Sequence, residues 1–360
     1  MMTTLNQLFE DDAYKLGGDD KSAVICDHLG LLAEHHYAHC PPYKAICDAF
    51  GANTAKSISN ASEAFSLPVR IFKHYELKSI IDDSNVKTLT SSGTTSQQVS
   101  KIFLDKQTSQ YQTKALSCIM RSYLGPKRLP MIILDSDAIL KNRQMFSARG
   151  GGILGMSNFG RKHLYLFDED MKVKYDALDE FLDQHAGSPI FLFGFTFMIW
   201  LHLIKELEKT GKTLNIDSAT MVHSGGWKKL ESEKVDNAAF RQRVAAATGI
   251  ERIFNFYGMV EQMGSVYMEC EQGHFHASVF SEVVIRDPLT GEALGVGEPG
   301  VIETLSILPH SYPGHAILTE DQGVIHGQDD CKCGRNGTHF SILGRLPKAE
   351  VRGCSDTYES

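Results

Sequence analysis

Residues 189–204 read PIFLFGFTFMIWLHLI and form the most apolar stretch of the chain. A helix needs ~20 apolar residues to cross a bilayer, and this shorter stretch also contains Gly194 and His202. We therefore expect no membrane span here. The pattern predicts a buried strand that runs into a helix. One wall of an apolar substrate pocket is the alternative, but aromatic residues at every second position are more typical of sheet core.

Short apolar strands alternate with helical patterns on both sides of this stretch. Residues 131–134 and 221–223 are predicted strands, whereas residues 175–185 and 240–247 are predicted helices. This alternation predicts an α/β fold, with mainly parallel sheets that carry helices on their faces. After Cys270 the pattern changes, because residues 281–286 and 301–307 flank the turn-rich sequence DPLTGEALGVGEPG. That arrangement predicts a smaller antiparallel β region.

The chain divides into three parts by pattern. Residues 1–85 are polar and mostly helical, with apolar residues at helical spacing in 23–39 and 45–65. Residues 86–343 carry the α/β alternation and are predicted to form the core domain. Residues 344–360 are predicted to be a short hinge and tail.

Composition excludes several classes of protein. The 360 residues are 42% hydrophobic, which is enough for a large buried core and argues against disorder. The net charge of -8, with dispersed Lys and Arg, gives no basic stripe for nucleic acid. The first 20 residues lack the basic start and apolar run of a secretory signal, so we expect a cytoplasmic protein. Its eight cysteines are then expected to be reduced thiols, metal ligands or a nucleophile.

A segment rich in glycine and hydroxyl residues gives the first chemical signal. Residues 90–101 read TSSGTTSQQVSK. Small residues let the backbone approach a polyphosphate, hydroxyl and amide groups bind its oxygens, and a lysine neutralises charge. An isolated cluster of this kind is as often a surface turn, so the segment alone does not decide the function.

Further short motifs follow in a fixed order: VHSGGWKK at 222–229, NFYGMVE at 255–261, LTEDQG at 318–323 and LGRLP at 343–347. The ordered set resembles the nucleotide-binding motifs of the adenylate-forming (ANL) superfamily of acyl-CoA synthetases, peptide synthetases and luciferases. Within that superfamily, HSGGWKK, YGMVEQ, LPHSYPGHAILTED and GRLPKAEVRGCS resemble the acyl-protein synthetase (LuxE) family. The resemblance covers roughly residues 85–356 and is densest after residue 189.

The resemblance implies a large adenylate-forming domain and a role for particular residues. The residues that match its phosphate loop are Ser91, Ser92, Gly93, Thr94 and Thr95. Ser96 stands where the superfamily usually has glycine, and the usual Pro-Lys that follows is not reproduced. Lys101 is therefore only a candidate for the lysine that neutralises the phosphates.

The later motifs imply the rest of an ATP site. Gly225 and Gly226 match the adenine-side strand. Tyr257, followed by Gly258, would stack on the base, and Glu261 would hold Mg²⁺ between phosphates. Val260 replaces the usual threonine, which removes one hydroxyl contact. Asp321 matches the carboxylate that accepts the ribose hydroxyls, and Arg345 the arginine that reaches the ribose or phosphate.

The implied activity is the ATP-dependent conversion of a carboxylic acid, expected to be a fatty acid, into an acyl-adenylate. The acyl group would then pass to a protein thiol for hand-over to a partner such as a reductase. The sequence continues for only about 15 residues after Arg345, so we expect the superfamily's usual C-terminal domain to be lacking. Two alternatives stay open: an acyl-CoA ligase of the phenylacetate-CoA ligase type, and a non-catalytic nucleotide-binding scaffold. The acid and the pathway are not fixed by the sequence.

Four residues of the β region have the composition of a zinc site. Cys270, His276 and the pair Cys331 and Cys333 would give a Cys₃His structural site, since two thiolates one residue apart can face the same tetrahedral ion. Related phenylacetate-CoA ligases carry a similar arrangement. His274 is the alternative nitrogen ligand. Separate reduced core thiols are the competing interpretation.

Cys354 lies six residues from the end, in AEVRGCSDTYES. Gly353 beside it would allow the thiol to move between the adenylate and a partner. Arg345, Lys348 and Arg352 would favour the thiolate over the thiol. In the family that the sequence resembles, a cysteine near the C-terminus is the acylated residue. A surface cysteine with no role is the alternative, and Cys118 is another candidate thiol.

Overall fold

A computed structural model describes residues 3–52, 54, 57–80, 86–91, 99–141 and 148–346. They form two compact units. Unit 1 is formed by the described residues within Met1–Ser91, Ser96–Tyr123 and Gly258–Glu350. Unit 2 is formed by the described residues within Leu124–Tyr257.

Helices of four residues or more dominate the N-terminal part of unit 1 and recur between the strands of unit 2. They are α1 Leu5–Leu8, α2 Gly18–His39, α3 Pro41–Phe50, α4 Ile71–His74, α5 Lys106–Leu124, α6 Ala138–Lys141, α7 Ala148–Ser157 and α8 Tyr175–Gln184, followed by the short turn α9 Thr196–Met198 and by α10 Lys205–Thr210 and α11 Asn237–Thr248. Short 3-10 helices occupy Ala61–Glu63, Lys228–Glu233 and Val260–Gln262. No described helix is both long and apolar enough to cross a membrane.

The strands of unit 2 have six to eight residues, whereas five of the nine in the described part of unit 1 have four or fewer. In chain order the strands are β1 Leu67–Pro68, β2 Lys87–Thr90, β3 Lys101–Leu104, β4 Leu129–Ser136, β5 Gly160–Phe167, β6 Ile190–Phe195, β7 Ala219–Ser224, β8 Arg252–Tyr257, β9 Tyr267–Glu269, β10 Phe275–His276, β11 Ser281–Arg286, β12 Gly300–Ser306, β13 Ala316–Gln328 and β14 Thr338–Arg345.

Unit 2 is a parallel sheet with the order β5-β4-β6-β7-β8. Every residue of β4 and β6 is buried, as expected for central strands of a parallel sheet that is covered on both faces. Helices α8 and α11 contribute Leu178, Phe240 and Val244 to the same apolar core. The α/β prediction is confirmed. The predicted elements at 131–134, 221–223 and 240–247 lie within observed strands and helices, and the predicted helix at 175–185 extends one residue beyond α8.

The apolar stretch at 189–204 is a buried strand that runs into a helix, as predicted. Strand β6 leads into α9, and a π-helical segment, Ile199–Ile204, joins α9 to α10. Gly194 of β6 lies against Leu134 of β4, where a Cβ on residue 194 would lie 2.7 Å from Leu134 Cβ. Any side chain there would collide with the neighbouring strand, so the close packing of these two strands requires glycine.

Unit 1 contains an antiparallel sheet with the order β11-β12-β13-β14-β10-β9, and β1 joins it as a parallel neighbour of β13. Strands β11 and β12 pair from Ser281↔Ser306 to Arg286↔Val301, which confirms the predicted antiparallel region. A separate hairpin is formed by β2 and β3. It places Thr90 opposite Lys101, at the two ends of the glycine and hydroxyl segment.

The helical prediction for residues 1–85 is correct at 23–39, which lie in α2, but wrong for much of 45–65. Helix α3 ends at Phe50, because Gly51 takes a left-handed conformation with φ 64° and caps it. Helix α2 is tied to the antiparallel sheet by Lys21, which is buried and donates hydrogen bonds to Ala277 O and Glu282 Oε2, each at 3.0 Å. The described residues before position 86 are therefore part of unit 1.

Candidate nucleotide site and metal cluster

Two of the predicted nucleotide motifs lie at the carboxyl ends of neighbouring strands in the unit 2 sheet. Gly225 and Gly226 directly follow β7, and Tyr257 is the last residue of β8. These strands are parallel neighbours with Ser224 opposite Phe256, and Ser224 Oγ donates a hydrogen bond of 3.0 Å to Phe256 O. In open α/β sheets, ligands bind at the carboxyl ends of the strands. The fold thus places Gly225, Gly226 and Tyr257 at the carboxyl ends of neighbouring strands, where ligands bind in such sheets.

The ends of the predicted phosphate loop meet in unit 1. Ser91 N donates to Ser100 O at 3.0 Å, and Ser100 N donates to Ser91 Oγ at 2.9 Å. Ser92, Gly93, Thr94 and Thr95 lie outside the described residues, so their role stays a prediction. Lys101 begins β3 with its side chain about half exposed, and its Nζ lies 3.4 Å from Glu76 Oε1. An exposed pair of this kind holds a lysine only weakly.

Glu261 is a buried carboxyl group in the 3-10 helix Val260–Gln262, directly after Gly258 and Met259. Burial raises its pKa above the usual range, because the charged form loses its hydration. A hydrogen bond from the Ser100 side chain opposes this shift by favouring the carboxylate. The residue predicted to bind a cation is therefore joined to the described end of the glycine and hydroxyl segment.

Gln262 fixes the turn that carries Glu261. Its Nε2 donates hydrogen bonds to Thr304 O at 2.9 Å and to Gly314 O at 2.8 Å. The sequence prediction included neither Ser100 nor Gln262. Both were within the quoted motifs, next to Lys101 and Glu261, but their residue types alone gave no sign of these contacts.

Asp321 and Arg345 face each other across the antiparallel pair β13 and β14. Arg345 Nε lies 3.4 Å from Asp321 Oδ1, and both side chains remain partly exposed. The two residues predicted to contact ribose and phosphate are thus brought together within unit 1. The Asp321 carboxylate can accept hydrogen bonds from hydroxyl groups, and the Arg345 guanidinium can donate hydrogen bonds to phosphate oxygens.

The cysteine–histidine cluster consists of Cys270, His276, Cys331 and Cys333. One potential ligand atom from each lies within 4.8 Å of all the others. Cys270 follows β9 and His276 lies in β10, whereas the two remaining cysteines lie between β13 and β14. The sheet therefore assembles the four residues that the sequence predicted as one site.

Two donor–donor separations in this cluster can be compared with those of a tetrahedral zinc site. The sulfur atoms of Cys270 and Cys331 are 3.9 Å apart, and Cys333 Sγ is 3.4 Å from His276 Nε2. Zinc–sulfur bonds of about 2.3 Å and zinc–nitrogen bonds of about 2.0 Å give sulfur–sulfur separations of about 3.8 Å and sulfur–nitrogen separations of about 3.5 Å. These two separations match those of a zinc site, and the remaining donor atoms lie within 4.8 Å of one another.

Backbone amides point at two of the sulfur atoms. Gln272 N donates to Cys270 Sγ, and Arg335 N donates to Cys333 Sγ, each at 3.4 Å. Donors of this kind favour thiolates. Burial has the opposite effect and raises the pKa of Cys270 above its ordinary value. A bound cation would offset the effect of burial, because its charge stabilises the thiolates directly.

The proposed acyl carrier, Cys354, lies outside the described residues. Its candidacy rests on sequence alone. Cys118, the other thiol considered, is buried in α5 and its Sγ lies 3.1 Å from Phe9 O. That contact indicates a packing role for Cys118.

Comparison with known proteins identifies relatives along almost the whole chain. The family model described as "Acyl-protein synthetase, LuxE" matches residues 3–360. The chain is 22% identical over 331 residues to the long-chain-fatty-acid–luciferin-component ligase of Vibrio harveyi, covering 89% of this chain and 84% of that protein. It is 21% identical over 330 residues to the protein of the same name from Aliivibrio fischeri, with the same coverages of 89% and 84%.

A solved structure shares the fold. The crystal structure of an open conformation of 2-hydroxyisobutyryl-CoA ligase, in complex with 2-HIB-AMP and CoA, superposes with a TM-score of 0.69 at 14% identity. The match covers 93% of this chain and 77% of that chain. At this identity, the likeness establishes the architecture and leaves the substrate open.

Proposed function

This chain belongs to the LuxE family of acyl-protein synthetases, and from that premise we propose that it charges its own Cys354 with a long-chain fatty acid. It is an AMP-forming ligase, which activates a carboxylic acid as an acyl-adenylate. The proposal adds the acid, the acceptor thiol and a partner such as an acyl reductase that takes over the acyl group. The buried Glu261 carboxylate, which accepts a hydrogen bond from the Ser100 side chain at the end of the glycine and hydroxyl segment, is the observation that supports the adenylation step. The acceptor thiol is proposed from the sequence.

The proposed ATP contacts follow the motifs. In unit 2, Gly225 and Gly226 would border the adenine and Tyr257 would stack on it. In unit 1, Asp321 would accept the ribose hydroxyls and Arg345 would donate to ribose or phosphate oxygens. The residues proposed to surround the phosphates are Ser91, Ser92, Gly93, Thr94, Thr95, Lys101 and Gly258.

Glu261 is suited to hold Mg²⁺, because it is a buried hard oxygen donor whose ionisation is opposed by burial and needs a positive neighbour. When bound, Mg²⁺ would neutralise phosphate charge during adenylation. Ser100 would keep the carboxylate ionised and oriented. Gln262 would fix the turn that carries it.

The proposed reaction has two steps. A carboxylate oxygen of the fatty acid attacks the α-phosphorus of ATP, the bond to the bridging oxygen breaks, and pyrophosphate leaves. Preorganised amide and cationic groups stabilise the charge on the phosphoryl oxygens. The thiolate of Cys354 then attacks the acyl carbon of the mixed anhydride, and AMP leaves with the electrons of the broken carbon–oxygen bond. Water must be excluded between the steps, since it competes with the thiolate.

The cysteine–histidine cluster is proposed to bind one structural Zn²⁺. Four protein donors fill a tetrahedral ion, so no position remains for a substrate. The ion would join the segment before β10 to the loop between β13 and β14. Its contribution would be to the stability of unit 1, and acyl transfer would not use it directly.

The test follows the acyl group. Wild-type protein, incubated with ATP, Mg²⁺ and hexadecanoic acid, should gain one hydroxylamine-sensitive acyl group by intact-protein mass. Cys354→Ser should retain acid-dependent pyrophosphate exchange but form no thioester, because adenylation does not need the thiol. Cys118→Ser is the matched control and should be acylated normally.

Three results would contradict the proposal. A Cys354→Ser protein that is acylated as a thioester at the wild-type rate would exclude Cys354 as the carrier. Acylation of added coenzyme A in place of the protein would indicate a CoA ligase. An absence of acid-dependent exchange in the wild-type protein would leave a nucleotide-binding scaffold.

A further inference from the structure

A second set of metal donors adjoins the cysteine–histidine cluster. Potential ligand atoms of His274, Cys331 and His339 lie within 4.8 Å of one another. Cys331 belongs to both sets. His339 lies in β14, and His274 lies two residues before His276 of β10. The antiparallel pairing of these strands places His276 opposite His339, which brings the second set beside the first.

The orientation of His339 is that of a metal ligand. Its Nε2 lies 2.8 Å from Asp330 Oδ1, whereas its Nδ1 is buried and has no hydrogen-bond partner within the part of the chain that is described. When a carboxylate accepts a hydrogen bond from the N–H of a neutral imidazole, the other ring nitrogen keeps its lone pair. Histidines that bind metals commonly have this arrangement, in which a carboxylate fixes the ring and increases its basicity.

His274 supplies a second nitrogen of the same kind. Its Nδ1 is also buried and lacks a hydrogen-bond partner among the described residues. The His274 ring stacks on those of His326 and His339, with centroid distances of 4.4 and 5.1 Å. A buried ring nitrogen that makes no hydrogen bond is costly, and a bound cation would remove that cost.

The sulfur of Cys331 is the link between the two sets. A thiolate has more than one lone pair and can bind two soft or borderline cations at once. We propose that Cys331 bridges two zinc-type divalent ions, one in the cysteine–histidine cluster and a second held by His274, Cys331 and His339. The inference rests on the structural ion proposed above and is independent of acyl transfer.

The two ions would differ in lability. The first has four protein donors, whereas the second has three and keeps one position open to water. Asp330 is exposed, so solvent reaches the carboxylate that orients His339. The second ion should therefore exchange faster and be removed by a weaker chelator.

The experiment counts ions in the full chain. Protein is equilibrated with a small excess of Zn²⁺, separated from free ion by gel filtration, and analysed for zinc by mass spectrometry. Wild type should hold two ions per chain, and His274→Ala and His339→Gln should hold one each. Circular dichroism checks that both variants are folded.

Two matched controls exclude unspecific binding. His326→Ala removes a ring that stacks on His274 but lies outside the donor set, so two ions should remain. His39→Ala removes one ring of the tilted pair His35 and His39 in α2, whose centroids are 4.6 Å apart, and should also leave two ions. A wild-type count of one that His274→Ala leaves unchanged would overturn the second site and leave the first. A count of zero would overturn both.

Discussion

The cysteine–histidine cluster and the Glu261 turn both lie in unit 1, and both gather residues that are far apart in the sequence. They differ in donor chemistry. The cluster presents three sulfur atoms and one nitrogen, all within 4.8 Å of one another. The turn presents one buried carboxylate, that of Glu261, which accepts a hydrogen bond from the Ser100 side chain. The comparison suggests that a closed set of soft donors serves stability, whereas a single hard donor with open positions serves a reaction.

The largest effect should come from breaking the cluster. Cys270→Ser removes one thiolate and weakens the ion that joins two segments, so the free energy of unfolding should fall by more than about 4 kcal/mol. Urea unfolding followed by far-ultraviolet circular dichroism measures the change. Cys26→Ala, at a buried thiol outside the cluster, is the control and should cost about 1 kcal/mol. An equal loss of unfolding free energy in the two variants would show that the cluster holds no structural ion.

A smaller effect, confined to activity, should come from Glu261→Gln. The amide keeps the volume and loses the charge, so acid-dependent pyrophosphate exchange should fall about 100-fold with little change in unfolding. Raising Mg²⁺ should restore part of the rate if the carboxylate binds that ion. A Glu261→Gln protein with wild-type exchange at low Mg²⁺ would show that the turn has no catalytic role.

The smallest effect should come from Ser100→Ala and should depend on pH. Burial raises the pKa of Glu261, and the Ser100 hydrogen bond lowers it, so removal of the hydroxyl raises the pKa further. Activity that needs the carboxylate is lost as pH falls through this pKa, and the variant should lose it at higher pH than wild type. Exchange should fall about tenfold at pH 6 and less at pH 8. Ser117→Ala, at an exposed position of α5, should leave the pH profile unchanged.

Much of the fold could be predicted because its signals are local. Buried parallel strands and amphipathic helices have distinct periodicities, and these located β4, β7, α8 and α11. The wrong prediction at 45–65 has a local cause as well. Apolar spacing continues past Phe50, but Gly51 ends the helix through its left-handed backbone.

The candidate sites could be predicted where side-chain type defines the chemistry. Cysteine and histidine are the usual ligands of zinc, so Cys270, His276 and the CxC pair indicated one site before any contact was known. Ser100 and Gln262 are common residue types whose roles depend on tertiary contacts with Glu261 and Gly314, so no local pattern could reveal them. The roles of residues 92–95 and of Cys354 stay predictions from sequence.

The order of segments in the two units has a consequence for synthesis on the ribosome. The described part of unit 2 is one continuous stretch, Leu124–Tyr257, and its neighbouring strands pair over short sequence distances. Unit 1 joins residues from both sides of that stretch, for example Lys21 with Ala277 and Glu282. Domains fold as units during translation, so unit 2 can fold while helix α2 still lacks its partners. Until residues 277–282 emerge, the Lys21 ammonium group, which the folded protein buries, has neither the Ala277 carbonyl nor the Glu282 carboxylate to bind and stays in water.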